Sequence, residues 1–232
     1  MQIPITYIVF PEIQLHQHYG HKLRGFFGNL FKDKSPLLHN HYDDGKLRYK
    51  YPLVQYKVVN SVPMLVGIAE GSELLSELFT KIDLLNLYDI KIRVYEKNIK
   101  REIYSPEIYS SMFKRYIFKS LWMALNQKNY AIYKKITFGP KITLMLKKIL
   151  IGNILSFFKG IGYTATKEID LLPLVIPKKT KFKNKDMEAF IGDFYTNVAL
   201  PDFIGLGKSV SRGFGTIIDG DGANARFPRN LE

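Results

Sequence analysis

One short stretch of the sequence holds two histidines that could transfer protons at a phosphodiester. His39 and His41 are separated by a single residue. In an extended chain, residues i and i+2 point to the same side, so both imidazoles could reach one phosphate. Histidine titrates near neutral pH and can accept a proton from one oxygen and deliver one to another. The spacing therefore indicates general acid–base chemistry.

RNA is a fitting substrate for such a pair because it carries its own nucleophile, the 2′-hydroxyl. A base that removes its proton and an acid that protonates the 5′-oxygen are enough for cleavage. That reaction needs no metal or cofactor and leaves a 2′,3′-cyclic phosphate and a 5′-hydroxyl. Lys32 is the candidate to stabilise the transition-state charge, and Tyr49 is the candidate to orient a histidine or the phosphate, with Tyr42 and Tyr51 as alternatives. The alternative role for the two histidines is to cap loops or to bind RNA.

A second stretch, from Phe203 to Ile217, is rich in glycine and carries positive charge. Glycine permits positive φ and close approach to a ligand, and successive backbone N–H groups can form a concave anion site. Asp202 and Val210 occupy positions where a nucleotide P-loop and a dinucleotide-binding turn, respectively, need glycine. The predicted RNA-contacting residues are Gly205, Gly207, Lys208, Ser209, Ser211, Arg212, Gly213 and Gly215. The alternative is a plain glycine-rich hairpin connection.

The overall charge also favours an anionic partner. The chain has 232 residues, with 34 Lys and Arg against 21 Asp and Glu, for a net charge of +13. A basic balance of this kind is typical of nucleic-acid-binding proteins. An anionic membrane surface would fit the charge as well. The length suffices for one large domain or two small ones.

The sequence contains no cysteine, which excludes disulfides, thiolate nucleophiles and cysteine metal sites. This composition fits the reducing cytoplasm, where we expect the protein. The first ten residues lack the basic segment of a secretory signal. The longest nearly apolar segment, residues 149–158, is well short of the ~18 residues that a spanning helix needs. We therefore expect no membrane insertion.

Hydrophobic periodicity predicts the elements that position these residues. In the first half it predicts strands at 3–10, 48–59, 62–68 and 88–95, and helices around the apolar stripe 23–31 and at 73–81. Pro52 indicates a kink and an edge position in the second strand. Ser72 is the predicted N-cap of the second helix. The order strand, helix, strand, strand, helix, strand is the ferredoxin-like order.

The second half shows a similar alternation. It predicts strands at 117–124, 168–176, 190–198 and 216–218, and helices at 125–135 and 139–159. The predicted fold class is therefore α+β, with two ferredoxin-like (RRM-like) domains in tandem and a C-terminal glycine-rich loop. Residues 1–110 carry the histidine pair and residues 111–232 carry the loop, with the connection between about Lys97 and Tyr116.

Several of these segments resemble a known family. They are RGFFG at 24–28, LHNH at 38–41, YPLVQYK at 51–57, LNQKNY at 125–130, and GLGK at 205–208 followed by GFG at 213–215. They resemble the CRISPR-associated repeat-RNA-processing endoribonucleases of the repeat-associated mysterious protein superfamily. The resemblance implies the ferredoxin-like fold, metal-independent cleavage of CRISPR precursor RNA within repeats, a catalytic histidine pair at His39 and His41, and RNA binding by the glycine-rich loop.

The resemblance leaves more than one function open. The first is the processing endoribonuclease, with CRISPR repeat RNA as its partner. The second is a non-catalytic RNA-binding subunit of a CRISPR interference complex, which would bind the same RNA without cutting it. The third is a basic membrane-surface protein that uses the helix at 140–159. A homodimer and contacts with interference-complex subunits are further expectations.

Overall fold

Residues 1–31, 50–182 and 185–221 are described in a computed structural model of the chain. They form an α+β protein with two domains, and each domain has a four-stranded antiparallel sheet with helices. This confirms the predicted α+β class and the prediction of two sheet-bearing halves. No helix in the described ranges is both long enough and apolar enough to cross a bilayer.

The described residues of the N-terminal domain form six strands and two α-helices. They are β1 (Ile3–Val9), α1 (Gly20–Leu30), β2 (Val54–Val59), β3 (Val62–Ile68), α2 (Glu70–Leu78), β4 (Leu84–Asn86), β5 (Lys91–Arg93) and β6 (Asn98–Tyr104). The four-stranded sheet has the order β2-β3-β1-β6, with β1 antiparallel to both β3 and β6. Strands β4 and β5 form a separate hairpin.

Four predictions for this domain have a definite outcome. Strand β3 has the predicted bounds, and β2 lies at a sheet edge as Pro52 indicated, although it begins only at Val54. The predicted strand at 88–95 is wrong, because its residues contribute only β5, and the fourth strand of the sheet is β6. Ser72 is not an N-cap. It lies inside α2, where it is buried and its hydroxyl shares a 2.7 Å hydrogen bond with the hydroxyl of Thr6.

In the described part of the C-terminal domain there are likewise six strands and two α-helices. They are β7 (Glu107–Ile108), β8 (Lys114–Phe118), α3 (Gln127–Tyr133), α4 (Gly139–Gly160), β9 (Leu171–Phe182), β10 (Lys185–Thr196), β11 (Val198–Ala199) and β12 (Ile217–Asp219). The four-stranded sheet has the order β12-β8-β10-β9. Strands β7 and β11 form a short separate pair.

The long helix α4 has the predicted bounds within one residue. Pro140 stands in its first turn, where the missing N–H costs nothing. Leu146, Leu150 and Ile154 recur every four residues on its buried face. The predicted strand at 117–124 ends early at Phe118. The other predicted C-terminal elements are present with shifted ends.

The two domains share one hydrophobic core. The ring of Phe157 on α4 lies 5.2 Å from the ring of Tyr51 and 5.8 Å from that of Tyr104, centroid to centroid. Tyr104 on β6 donates a 2.7 Å hydrogen bond to the carbonyl of Ala199 on β11. These contacts fix one domain against the other at the junction where the glycine-rich stretch lies.

Candidate nucleic-acid interface

The glycine-rich segment, residues 203–217, connects β11 to β12 and packs against the N-terminal domain. Gly205 pairs with Thr216 across the segment, and Val210–Arg212 forms a turn of 3-10 helix. The turn lies on the start of α1, because a Cβ on Gly20 would stand 2.5 Å from the carbonyl oxygen of Arg212. A side chain at position 20 would therefore push the segment away from α1.

Two side chains of the YPLVQYK stretch hold the beginning of the segment. The Gln55 side-chain oxygen accepts a 3.0 Å hydrogen bond from the backbone N–H of Gly205, and the Tyr51 hydroxyl donates a 2.8 Å bond to the carbonyl of the same glycine. The Gln55 amide also donates to the Tyr51 hydroxyl at 3.0 Å. Burial raises the pKa of Tyr51. Tyr51, considered above as an alternative to Tyr49, thus holds the segment.

The C-terminal domain holds the remainder of the segment through its backbone. The N–H of Lys208 donates to the carbonyl of Met123 at 3.1 Å, and the N–H of Gly215 donates to the carbonyl of Leu121 at 2.9 Å. Gly215 has φ of +63°, and a Cβ there would overlap the carbonyl oxygen of Leu206. Only glycine meets both conditions without strain.

Lys57 lies behind the segment with its whole side chain buried. Its ammonium donates a 3.0 Å hydrogen bond to the Thr216 hydroxyl, which in turn donates to the carbonyl of Gly213 at 3.1 Å. Within the described residues this is the one side-chain hydrogen bond of Lys57. Burial lowers the pKa of Lys57 to about 7. The lysine therefore links β2 to the end of the glycine-rich segment.

The predicted RNA-contacting residues differ in their access to solvent. Lys208 is exposed, and Arg212 is half-buried. The half-buried members without charge are Gly207, Ser209 and Gly213, and the buried members are Gly205, Ser211 and Gly215. Among the eight, direct contact with a large anion is therefore open mainly to Lys208 and Arg212.

Sequence reasoning missed one cation of this surface. Arg24, on α1, is half-buried, and burial together with the nearby charge of Arg212 lowers the pKa of Arg24. Two guanidinium groups close together raise the local positive potential, which attracts an anion such as phosphate. The sequence feature that could have identified Arg24 is its position outside the apolar face of its helix. In the structure that position lies on the side of the helix that meets the segment. We call Arg24, Lys208 and Arg212 the junction cations.

The family models match the chain in two consecutive parts. The Cas6b N-terminal domain matches residues 1–105, and the Cas6b C-terminal domain matches residues 108–219. The chain belongs to the Cas6b family. A crystal structure of Cas6b is 34% identical to the chain, covers 94% of it and 100% of itself, and superimposes with a TM-score of 0.89.

Two further relatives agree with the assignment. A crystal structure of the CRISPR RNA processing endoribonuclease Cas6b is 32% identical, with a TM-score of 0.75 and coverage of 94% of this chain and 100% of that one. The protein MJ0978 of Methanocaldococcus jannaschii is 36% identical over 145 residues, which are 62% of this chain and 97% of that protein. The predicted resemblance to CRISPR RNA-processing endoribonucleases is confirmed.

The two Cas6b domains meet between β6 and β7, since the matches end at residue 105 and resume at residue 108. The glycine-rich segment belongs to the C-terminal match, whereas Tyr51, Gln55 and Lys57 belong to the N-terminal match. The candidate interface is therefore built by both Cas6b domains.

The predicted catalytic residues Lys32, His39, His41 and Tyr49 lie outside the described residues. Helix α1 ends at Leu30 and the description resumes at Lys50. The role of these four residues stays a prediction.

The other three histidines lie on the described surface around the start of α1, with His21 in its first turn. The Nδ1 atoms of His16 and His18 are 2.7 Å apart, and the Nδ1 of His21 lies 2.5 Å from the carbonyl oxygen of His18. Burial, followed by the charge of His16, lowers the pKa of His18. The described ranges contain no group of three or more His, Asp or Glu side chains arranged to hold a metal.

Proposed function

We propose that this Cas6b-family chain is an endoribonuclease that cleaves CRISPR precursor RNA within its repeats to give mature guide RNAs. The observation that carries the proposal is the match of 94% of the chain to the CRISPR RNA processing endoribonuclease Cas6b. The net charge of +13 and the junction cations support RNA as the substrate.

In this proposal the chemistry belongs to the N-terminal domain. His39 and His41 act as the base that deprotonates the 2′-hydroxyl and the acid that protonates the leaving 5′-oxygen. Lys32 stabilises the negative charge of the transition state, and Tyr49 orients a histidine or the phosphate. The reaction requires no metal and leaves a 2′,3′-cyclic phosphate and a 5′-hydroxyl. The spacing of the pair supports this assignment.

RNA binding belongs to the domain junction. Lys208 and Arg212 contact the RNA backbone from the glycine-rich segment, and Arg24 adds its charge from α1. The backbone N–H of Ser209, which is half-buried, forms no hydrogen bond with a described residue and can add a contact to the anion. Gly205, Gly207, Gly213 and Gly215 contribute through the backbone path of the segment. CRISPR repeat RNA is the proposed partner, in the cytoplasm.

We also infer that both domains are ferredoxin-like, with the first ending near residue 110. In each four-stranded sheet, the strand that comes first along the chain lies between the third and the last strands of that sheet. That arrangement belongs to the ferredoxin-like order. The C-terminal domain departs from it in one respect, because the glycine-rich segment replaces the second helix.

The proposal is tested with purified protein and labelled cognate repeat RNA in the presence of EDTA. We expect cleavage at one position, with a 2′,3′-cyclic phosphate on one product and a 5′-hydroxyl on the other. A substrate with 2′-deoxyribose at the cleaved nucleotide should bind and remain intact. Loss of cleavage in EDTA, or cleavage of the deoxy substrate, would contradict the metal-free mechanism. Tight binding without any cleavage would favour the non-catalytic subunit instead.

A further inference from the structure

A second polar surface, with no role in the mechanism above, lies at the other end of α1. It is a cleft of about 530 Å³ between α1 and the β4–β5 hairpin. The lining residues are Phe26, Asn29, Leu30, Asn86, Tyr88 and Lys91. The cleft thus combines an apolar floor, two amide side chains, an aromatic ring and a cation.

Tyr88 is the most conspicuous residue of this cleft because 81% of its surface is exposed. A side chain so exposed contributes little to the core. Its backbone has φ of +66°, a left-handed conformation that is unfavourable for a residue with a bulky side chain. Strain of this kind at a surface aromatic is typical of functional positions.

The neighbouring residues hold Tyr88 in place. The Asp89 carboxylate accepts hydrogen bonds from the Lys22 ammonium at 2.6 Å and from the Tyr19 hydroxyl at 2.8 Å. These two hydrogen bonds, that of Lys22 first, lower the pKa of Asp89 to about 2. The turn is thereby tied to the start of α1. The ring of Tyr88 leans over Gly25, with its Cε2 at 3.8 Å from the place of a Cβ there.

We propose that this cleft binds one unpaired nucleobase of the RNA substrate, stacked on Tyr88. Every nucleobase has a π-face that an aromatic ring can stack on. The polar edge of the base meets the amides of Asn29 and Asn86, which offer both donors and acceptors. Lys91 lies opposite Asn86 in the hairpin and neutralises the adjoining phosphate. We call this surface the base cleft.

The base cleft is close to the proposed catalytic segment along the chain. Leu30 lines the cleft, and Lys32 is only two residues further on. The inference rests on the proposed function. Within it, the cleft binds a base on the strand that carries the cleaved bond, and it fixes the position of that bond.

The charge of the surroundings agrees with RNA. Lys91 and Arg93 are exposed on the hairpin, and the one nearby acid described above, Asp89, is paired with Lys22. The amides and the lysine distinguish this cleft from the purely apolar exposed positions on β9, such as Leu172, Leu174 and Ile176. An apolar partner would leave the amides and the lysine without partners, at a cost in free energy.

The first test measures the affinity of Tyr88→Ala for cognate single-stranded repeat RNA. Loss of one stacked base predicts a decrease of about 5- to 150-fold. Tyr88→Trp and Tyr88→Phe should restore affinity, because both retain a ring. The matched control is Tyr95→Ala, since Tyr95 is 79% exposed and does not line the cleft. The salt dependence of binding should stay unchanged in Tyr88→Ala, because no phosphate contact is lost.

The second test uses RNA in which each nucleotide in turn is replaced by an abasic one. In the wild-type protein one position should lose about as much affinity as Tyr88→Ala does. In Tyr88→Ala the same abasic substitution should have little further effect, since the two changes remove the same contact. 2-Aminopurine at that position should be quenched on binding the wild-type protein and not the variant.

The outcomes distinguish failure of the base-cleft proposal from failure of the proposed function. If the wild-type protein neither binds nor cuts repeat RNA, the proposed function and the cleft proposal both fall. If the wild-type protein binds and cuts, but Tyr88→Ala binds equally well, only the cleft proposal falls. Equal losses in Tyr88→Ala and Tyr95→Ala, or no abasic position coupled to Tyr88, would likewise overturn the cleft alone.

Discussion

The two domains have the same strand order in their sheets but differ in what precedes the last strand. In the N-terminal domain that region includes α2, which satisfies its own backbone hydrogen bonds and packs on its own sheet. In the C-terminal domain it is the glycine-rich segment. Its backbone accepts a hydrogen bond from Tyr51 and donates one to Gln55 in the N-terminal domain, and it donates to the carbonyls of Leu121 and Met123 in the C-terminal domain. Because the segment is held from both sides, the junction depends on both domains.

The two domains also differ in their proposed roles. The N-terminal domain carries the residues proposed for catalysis, and its Tyr51, Gln55 and Lys57 contact the glycine-rich segment. The C-terminal domain supplies the segment itself, with two of the three junction cations. Variants in each domain should therefore separate cleavage from binding, and variants at the contacts between them should affect both.

The largest effect is expected from the histidine pair. His39→Ala and His41→Ala should each reduce single-turnover cleavage by about 10²- to 10⁴-fold, because each removes one proton-transfer group. We expect the larger loss for His41. RNA affinity should stay close to that of the wild-type protein, since the junction cations are unchanged. Full cleavage by the double variant would show that the catalytic residues lie elsewhere than His39 and His41.

Lys57 gives a test of the contact between β2 and the segment. The pKa of Lys57 is about 7 in the folded protein and about 10.4 in an unfolded chain. The unfolded state therefore binds more protons between these values, and the free energy of unfolding rises as pH increases from about 7 to 10. Below pH 7 the buried lysine is protonated and its destabilising effect is fully present.

Lys57→Met should remove this pH dependence. We expect the wild-type protein to gain on the order of 3 kcal/mol between pH 6.5 and 9.5 from this one group, and the methionine variant to lack that gain. The measurement is the free energy of unfolding by urea for both proteins at each pH, because their difference cancels the other titrating groups. A difference that does not change with pH would show that Lys57 titrates at its ordinary value.

Gly215 tests whether the backbone path of the segment is required. Gly215→Ala places a Cβ against the Leu206 carbonyl at positive φ, so we expect a loss of about 1–3 kcal/mol in the free energy of unfolding and weaker RNA binding. The control is Gly152→Ala on α4, where a Cβ would meet nothing within 4 Å. That change should stabilise by up to about 1 kcal/mol. Equal changes in the free energy of unfolding for the two substitutions would show that position 215 does not require glycine.

The smallest effect is expected from Lys208 and Arg212, the two positively charged side chains of the segment. Lys208→Ala combined with Arg212→Ala should weaken RNA binding and reduce the slope of log affinity against log salt by about 1.4, for two phosphate contacts on a single strand. Lys178→Ala with Lys179→Ala removes the same charge from exposed positions on β9 and should change neither quantity appreciably. An unchanged slope in the first double variant would contradict backbone contact by the segment.

Periodicity predicted the elements that are long and regular. The four-residue recurrence of apolar side chains in α4 and the β-branched run of β3 leave little choice of structure. Periodicity fails at 88–95, where alternating apolar residues predict a strand of the main sheet but only Lys91–Arg93 is a strand. The chain turns there instead, at the positive φ of Tyr88 and the hydrogen bonds of Asp89 with Tyr19 and Lys22. No short-range sequence pattern predicts that φ or those hydrogen bonds.

The glycine-rich segment shows a second limit of sequence reasoning. Its glycines predicted close approach to a ligand backbone. At Gly205 and Gly215 the close approach is to the protein itself, through Gln55 and the Leu206 carbonyl. A glycine in the sequence indicates that another group approaches its backbone closely, but it does not indicate whether that group belongs to a ligand or to the protein. Gln55 lies 150 positions from Gly205, so spacing along the sequence could not identify it as a partner.

The bond between Gln55 and Gly205 joins residues 150 positions apart. A ribosome that adds about 5–20 residues per second needs roughly 8–30 seconds to cover that distance. Until residues 203–217 have been synthesised, the contacts of Gln55 with Gly205 and of Lys57 with Thr216 cannot form. The junction between the two domains is thus completed during synthesis well after the N-terminal domain.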